Sequence, residues 1–219
     1  MLQRPAEPKR AVVPMTPRST VQVEHIAAHR DFRPLGGVAG VQHDLRYASA
    51  NNFAGRVLYR GYDCAWLRRE AAAGLEAAAA WLASARPGHR LLVLDALRPH
   101  RVQQAIWKDV AGTEAEAYFA DPARGSIHSY GMAVDVTLVD AQGLERDMGS
   151  GFDEMSPRSH PQLHAEHLAL GLLSAAQISE RGWLQAAMSH GGFCTINTEW
   201  WHFDFGDREA VRRDLPRVE

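Results

Sequence analysis

The sequence predicts an α+β fold: a single domain with a central antiparallel sheet flanked by helices. Three observations support this. Stretches rich in helix formers lie early and late in the chain, with apolar strand-like runs between them. The later strand-like runs are separated by short turn-rich segments that suit hairpins. No internal repeat interrupts the 219 residues, a length suited to one domain with a sizeable core.

Each element has its own justification. Residues 1–20 mix Pro, Arg, Glu and Thr and read as a flexible leader, leaving 21–219 as the folded domain. His43 to Tyr47 is a short extended piece that runs into a turn-rich loop over 48–55, and 56–59 suits a further short strand. Residues 65–85 are dense in Ala, Leu and Glu, and Pro87-Gly88 stops the helix that this composition favours. Its alanines suit close packing. The continuous apolar run 91–95 is a buried strand, ended by Arg98-Pro99, and 100–110 is a second helix. Residues 134–139 form another strand, and Asp140-Ala141-Gln142-Gly143 makes a hairpin-like turn. Helical stretches follow at 161–173 and 175–188; Ser174 caps the second and Gly191-Gly192 closes it. Residues 193–196 and 201–205 then pair as a final antiparallel hairpin.

Composition excludes some functions. The formal net charge is −2 and the arginines are scattered, so nothing draws the chain to nucleic acid or to an anionic membrane. No apolar run reaches the length of a membrane span, and the first residues lack the apolar stretch of a secretory signal. A cytoplasmic protein is expected. Cys64 and Cys194 form no CxxC pair and read as two buried thiols.

Two short segments carry the chemistry: Ser126-Ile127-His128-Ser129-Tyr130-Gly131-Met132-Ala133-Val134-Asp135 and Glu199-Trp200-Trp201-His202. They offer two imidazoles, one carboxylate for a metal and one spare carboxylate. That is the ligand count of a catalytic zinc site, with three protein ligands and a fourth position for water. His128 and Asp135 are an odd number of residues apart, so one straight strand would aim them at opposite faces. Gly131 can break the strand and turn both toward one point. His202 and Asp204 share a face of the last strand, while Phe203 and Phe205 point to the core. One Zn²⁺ per chain, held by His128, Asp135 and His202 in a cleft on the sheet, keeps a net charge of about +1. Such a site lowers the pKa of water from about 15.7 in bulk to about 7. Glu199 is placed to take that proton and to deliver it to a leaving amine.

His160, His164 and His167 could share a helix face, but no glutamate follows in the H-E-x-x-H arrangement, and they read as a solvated helix start. Arg98 at a strand end could simply pair with Asp95. Beside a metal cleft it can instead stabilise the oxyanion formed as water attacks a carbonyl.

With these residues in place, the chain resembles the D-alanyl-D-alanine dipeptidases, a family of zinc peptidases that includes the vancomycin-resistance enzyme. The resemblance runs from about residue 45 to 205. Its landmarks are Arg46-Tyr47-Ala48, Asn52-Phe53, Asp95 with Arg98-Pro99, the stretch from Ser126 to Asp135, Met148-Gly149-Ser150 with Phe152-Asp153, Arg158-Ser159-His160, and Glu199 to His202. It implies zinc ligands His128, Asp135 and His202, the general base Glu199, and Arg98 on the tetrahedral intermediate. It also implies that Asp153, helped by Tyr47, holds the ammonium of a dipeptide, and that Ser126 contacts the substrate's far end. The implied reaction is hydrolysis of D-Ala-D-Ala, and of related D,D-dipeptides, to free D-amino acids within peptidoglycan metabolism. A small dipeptide is the implied partner, and the oligomeric state is left open. The alternative is a D,D-carboxypeptidase or endopeptidase acting on longer cell-wall peptides. Two departures bear on substrate range: Leu97 stands where the family commonly has tyrosine, and Ile127 where many members have serine.

Overall fold

The computed structural model describes residues 20–219, so the leader expected over 1–20 lies, Thr20 apart, outside the described residues. In chain order the strands are β1 (Phe32–Pro34), β2 (Val41–His43), β3 (Trp66–Arg68), β4 (Arg90–Asp95), β5 (Ala133–Val139), β6 (Phe193–Thr195) and β7 (His202–Phe205). The helices are α1 (Arg69–Ala85), α2 (His100–Val110), α3 (His164–Ala169), α4 (Ala175–His190) and α5 (Arg208–Asp214). Short 3₁₀ turns join several of them.

The central sheet has the order β2-β4-β5-β7-β6, and β1 pairs separately with β3. The α+β class holds, but the sheet is mixed where an antiparallel one was expected. β2 runs parallel to β4, and every other pair is antiparallel. The reason is the connection: β3 and α1 lie between β2 and β4, and a crossover of that length lets the chain return in the same direction.

α1 buries Ala71, Ala72, Leu75, Ala78, Ala79 and Leu82, a three-four spacing along one face. Its alanines do serve close packing. α1 lies against α4, and a Cβ at Gly74 would come 2.5 Å from the Gly191 carbonyl oxygen. α4 opens with a full capping box: Ser174 Oγ accepts from Gln177 N–H, and Gln177 Oε1 accepts from Ser174 N–H. Leu91, Val93, Val136 and Leu138 fill the space between sheet and helices. Burying side chains of this size contributes roughly 1.5–3 kcal/mol each.

Several local expectations fail for identifiable reasons. The helix expected from residue 65 begins at Arg69, because Trp66–Arg68 is drawn into β3. No strand forms over 56–59: the N–H groups of Leu58 and Tyr59 both donate to Tyr47 O at 2.9 Å, folding the segment back onto the turn Arg46–Ala48. The stretch 161–173 is a 3₁₀ turn, Pro161–Leu163, followed by the short α3. β1, β3 and α5 had no counterpart in the sequence pattern. Both cysteines are free, but Cys194 is exposed, since alternation along the edge strand β6 turns Phe193 inward and Cys194 outward. No helix among the described residues is long and apolar enough to cross a membrane.

Candidate active site

β5 and β7 are neighbours, and their register sets Asp135 directly opposite His202. Directly paired residues project on the same face of a sheet. His128 arrives from the 3₁₀ turn Ile127–Tyr130, which Gly131 closes in the left-handed region at φ 69°. A Cβ there would lie 2.8 Å from Phe32 Cε1 and 3.2 Å from Arg68 N, so only glycine fits. Gly131 thus interrupts the strand between His128 and Asp135, as expected.

His128, Asp135 and His202 are buried, and each offers an atom within 4.8 Å of the others. His128 Nε2 lies 3.1 Å from His202 Nδ1, which lies 3.0 Å from Asp135 Oδ1. The outer nitrogens fix the tautomers. His128 Nδ1 sits 2.7 Å from Ala96 O, and His202 Nε2 sits 2.9 Å from Asp204 Oδ1. A carbonyl or a carboxylate can only accept, so the outer nitrogens carry protons, and a bound cation would meet the lone pairs of the inner ones, His128 Nε2 and His202 Nδ1. Three acceptors therefore face one point, an arrangement that fits a cation of the zinc class.

The electrostatics follow from burial and these contacts. Burial pushes the Asp135 carboxyl up, but His128 and His202 outweigh it and hold it far below the usual carboxylate range. Burial lowers the His202 pKa, yet Asp204 and Asp135 outweigh burial and raise it well above 6.5. Asp204 is buried too, and His202 holds its carboxyl below the ordinary value despite that burial. Glu199 stands just before β7 with Oε2 4.0 Å from His202 Nδ1. Burial pushes its carboxyl up to about 7.

Arg98 does form the ion pair with Asp95: Nε and Nη2 lie 3.0 and 2.7 Å from Asp95 Oδ2. It also reaches the site, with Nη2 3.5 Å from Asp135 Oδ2 and the guanidinium 4.9 Å above the Tyr47 ring. Nη1 donates to Gln103 Oε1 at 3.0 Å, and Tyr59 OH donates to Asp95, so the pair is braced on every side. Asp153 holds a positive φ of 59°, which is uncommon for a residue with a side chain. Tyr47 OH donates to its Oδ1 and Phe53 N–H to its Oδ2, both at 3.4 Å. Burial raises the Asp153 pKa well above the usual value, and Asp135 adds to the rise.

Tyr47, Arg98, Ser126, His128, Asp135, Asp153, Glu199 and His202 all line a single cavity of about 80 Å³. The structure brings together every side chain that the sequence singled out for the site. It adds Tyr118, Met155, Ile196, Trp201, Arg208 and Arg212 to the lining. Arg208 and Arg212 follow the Glu199–His202 segment at helical spacing, which was the one signal available for them. Of the two family departures, only Ile127 lines the cavity. Leu97 packs instead with Val21, Phe32, Trp66 and Val218, so it does not touch the cavity.

The three histidines near residue 160 do not form a ligand cluster; among the described residues, only His128, Asp135 and His202 do. Nor are they a solvated helix start. His167 is buried, His160 Nε2 meets Tyr118 OH at 3.1 Å, and His164 Nε2 accepts from Arg181 Nη1 at 3.1 Å.

A family model described as D-ala-D-ala dipeptidase matches residues 30–218. The D-alanyl-D-alanine dipeptidase of Escherichia coli (strain K12) is 38% identical over 161 residues, covering 74% of this chain and 77% of its own. That of Enterococcus faecalis (strain ATCC 700802 / V583) is 30% identical over 184 residues, covering 77% of this chain and 87% of its own. A solved structure of the LdcB LD-carboxypeptidase aligns with 87% of this chain and 79% of that chain, at 17% identity and a TM-score of 0.47.

Proposed function

This chain belongs to the D-ala-D-ala dipeptidase family of peptidases, and from that membership we propose that it hydrolyses D-Ala-D-Ala to two molecules of D-alanine, with one zinc ion held by His128, Asp135 and His202. The observation that carries the reading is the convergence of two imidazole nitrogens and a carboxylate beside a half-buried Glu199. When bound, the metal supplies Lewis-acid chemistry, polarising the peptide carbonyl and lowering the pKa of water toward about 7.

The chain's own residues do the rest. Glu199 takes a proton from the attacking water and returns it to the leaving amine. A carboxyl pushed up to about 7 suits both steps, because its proton affinity lies near the working pH. Arg98 donates from Nη2 to the oxygen that gains charge as the carbonyl turns tetrahedral. Its ion pair with Asp95 keeps the guanidinium in place before substrate arrives. Asp153 and Tyr47 receive the substrate ammonium, which restores a favourable charge pair to a carboxylate that burial disfavours. Ser126 lies against the far end of the dipeptide. A small cavity with a fixed ammonium site disfavours peptides extended at the amino end. The reaction belongs to the cytoplasm, where free dipeptide would be met.

A substrate panel tests this reading. Purified protein should cleave D-Ala-D-Ala, leave L-Ala-L-Ala and N-acetyl-D-Ala-D-Ala largely intact, lose activity with chelator and regain it with zinc. Faster release of D-alanine from an N-acylated tripeptide ending in D-Ala-D-Ala would transfer the assignment to a D,D-carboxypeptidase.

A further inference from the structure

The cavity has one charged wall with no role so far. Arg208 and Arg212 are four residues apart on α5, so they share a helix face, and both line the cavity. Arg212 is tied in place: Nε donates to Gly125 O at 3.1 Å and Nη1 to Glu209 Oε1 at 2.8 Å. The first of these bonds sets its head group beside Ser126, the next residue along the chain. Arg208 is tied differently. Its Nε lies 2.6 Å from Asp204 Oδ2, and its side chain is nearly half exposed. Asp204 is itself buried and bonded to His202, so the Nε edge of this guanidinium is held while the half-exposed side chain still borders the cavity.

A guanidinium held at one edge matches the two oxygens of a carboxylate. The position fits as well. Asp153 and Met155 border an adjoining groove on the Phe53 side, which neither arginine touches. The cavity is therefore polarised, with Asp153 toward that groove and the α5 arginines on the wall beside Ser126 and Asp204. A zwitterionic dipeptide has the complementary polarity.

We propose that Arg208, with Arg212 beside it, receives the substrate's C-terminal carboxylate and makes a free acid at that end a condition of efficient cleavage. The inference rests on the dipeptidase reading and adds a specificity residue to it. Its competitor is a purely structural role, in which Arg208 only steadies Asp204 behind His202.

The test compares D-Ala-D-Ala with D-Ala-D-Ala amide on the wild type, Arg208→Gln and Arg212→Gln, with circular dichroism and zinc content as folding controls. The wild type should prefer the acid. Arg208→Gln should shrink the acid-to-amide ratio of kcat/KM about tenfold or more, mainly through KM for the acid, as expected for loss of charge-assisted hydrogen bonds. Arg212→Gln should shrink it less. Equal losses on both substrates, with the ratio intact, would mean that Arg208 only supports Asp204, and the proposal would fall. A wild type that cleaves acid and amide equally well would also overturn it while leaving the dipeptidase reading standing. A wild type that cleaves neither would overturn both.

Discussion

The two walls of the cavity are built in different ways. The wall bearing His128, Asp135 and His202 rests on paired strands: Asp135 and His202 sit opposite each other in the β5–β7 ladder, and His128 leads into β5 through a tight turn. The wall bearing Asp153 is irregular chain between β5 and α3, and a buried arginine holds it from behind at three points. Arg181 on α4 donates from Nε to Met148 O at 2.7 Å, from Nη1 to Arg158 O at 2.9 Å and from Nη2 to Ser150 Oγ at 3.1 Å. Trp200 Nε1 also donates to Ser150 Oγ, at 3.0 Å. The lesson is a division of labour. On the proposed reading, metal-ligand geometry that tolerates little displacement is fixed by a ladder, whereas the group that selects substrate stands on a loop held by side chains from behind.

This contrast can be broken or sharpened by substitution. The largest effect is expected on the strand wall. Glu199→Ala should lower kcat on D-Ala-D-Ala by about 10²–10⁴-fold while zinc content stays at wild-type level, because a general base is lost and no ligand is. Normal turnover in that variant would require another base. Next comes Asp204→Ala, which removes the acceptor behind His202. Zinc affinity should fall about 10–100-fold, read by competition with a chromophoric chelator. Unchanged affinity would show that the β7 strand alone orients the imidazole.

A smaller effect is expected behind the loop wall. Arg181→Ala leaves the carbonyls of Met148 and Arg158 without their donor, each costing about 1–3 kcal/mol of folding stability, while Ser150 Oγ keeps Trp200 Nε1. If the walls are independent, KM for D-Ala-D-Ala rises and zinc affinity stays as it was. A parallel drop in zinc affinity would merge the two walls into one unit.

The mildest expectation concerns pH. In metal-free protein, burial holds the Glu199 pKa at about 7, above its ordinary 4.5. The folded state then binds the extra proton between those values, so its contribution to stability is lost as pH rises from about 4.5 to about 7. His202, raised above 6.5, acts in the same direction: its contribution is present below 6.5 and is lost as pH rises through the folded value. Thermal melts with chelator should therefore show Tm falling from pH 5.5 to pH 8, and zinc should reverse much of the fall. A Tm that climbs over that range would contradict these assignments.

The strand wall was legible in the sequence, and the reason is local. His128, Gly131 and Asp135 lie within a few residues, and Glu199 to His202 within one turn of chain, so spacing and strand alternation fix how they point. The roles of Asp153 and Tyr47 came through family resemblance alone, since 106 residues separate them in the sequence and no periodicity links them. α5 went unseen because seven residues with one buried apolar side chain, Val211, carry too little amphipathic pattern. β1, β3 and the parallel direction of β2 are not legible either: three-residue strands leave almost no alternation to read, and strand direction is set by the crossover between them.

Zinc titration of the metal-free protein, followed by calorimetry, tests the central claim most directly. Wild type and Glu199→Ala should each bind one zinc per chain with similar affinity, and His202→Ala, folded by circular dichroism, should lose that site. Undiminished zinc binding by folded His202→Ala would place the metal elsewhere and contradict the account.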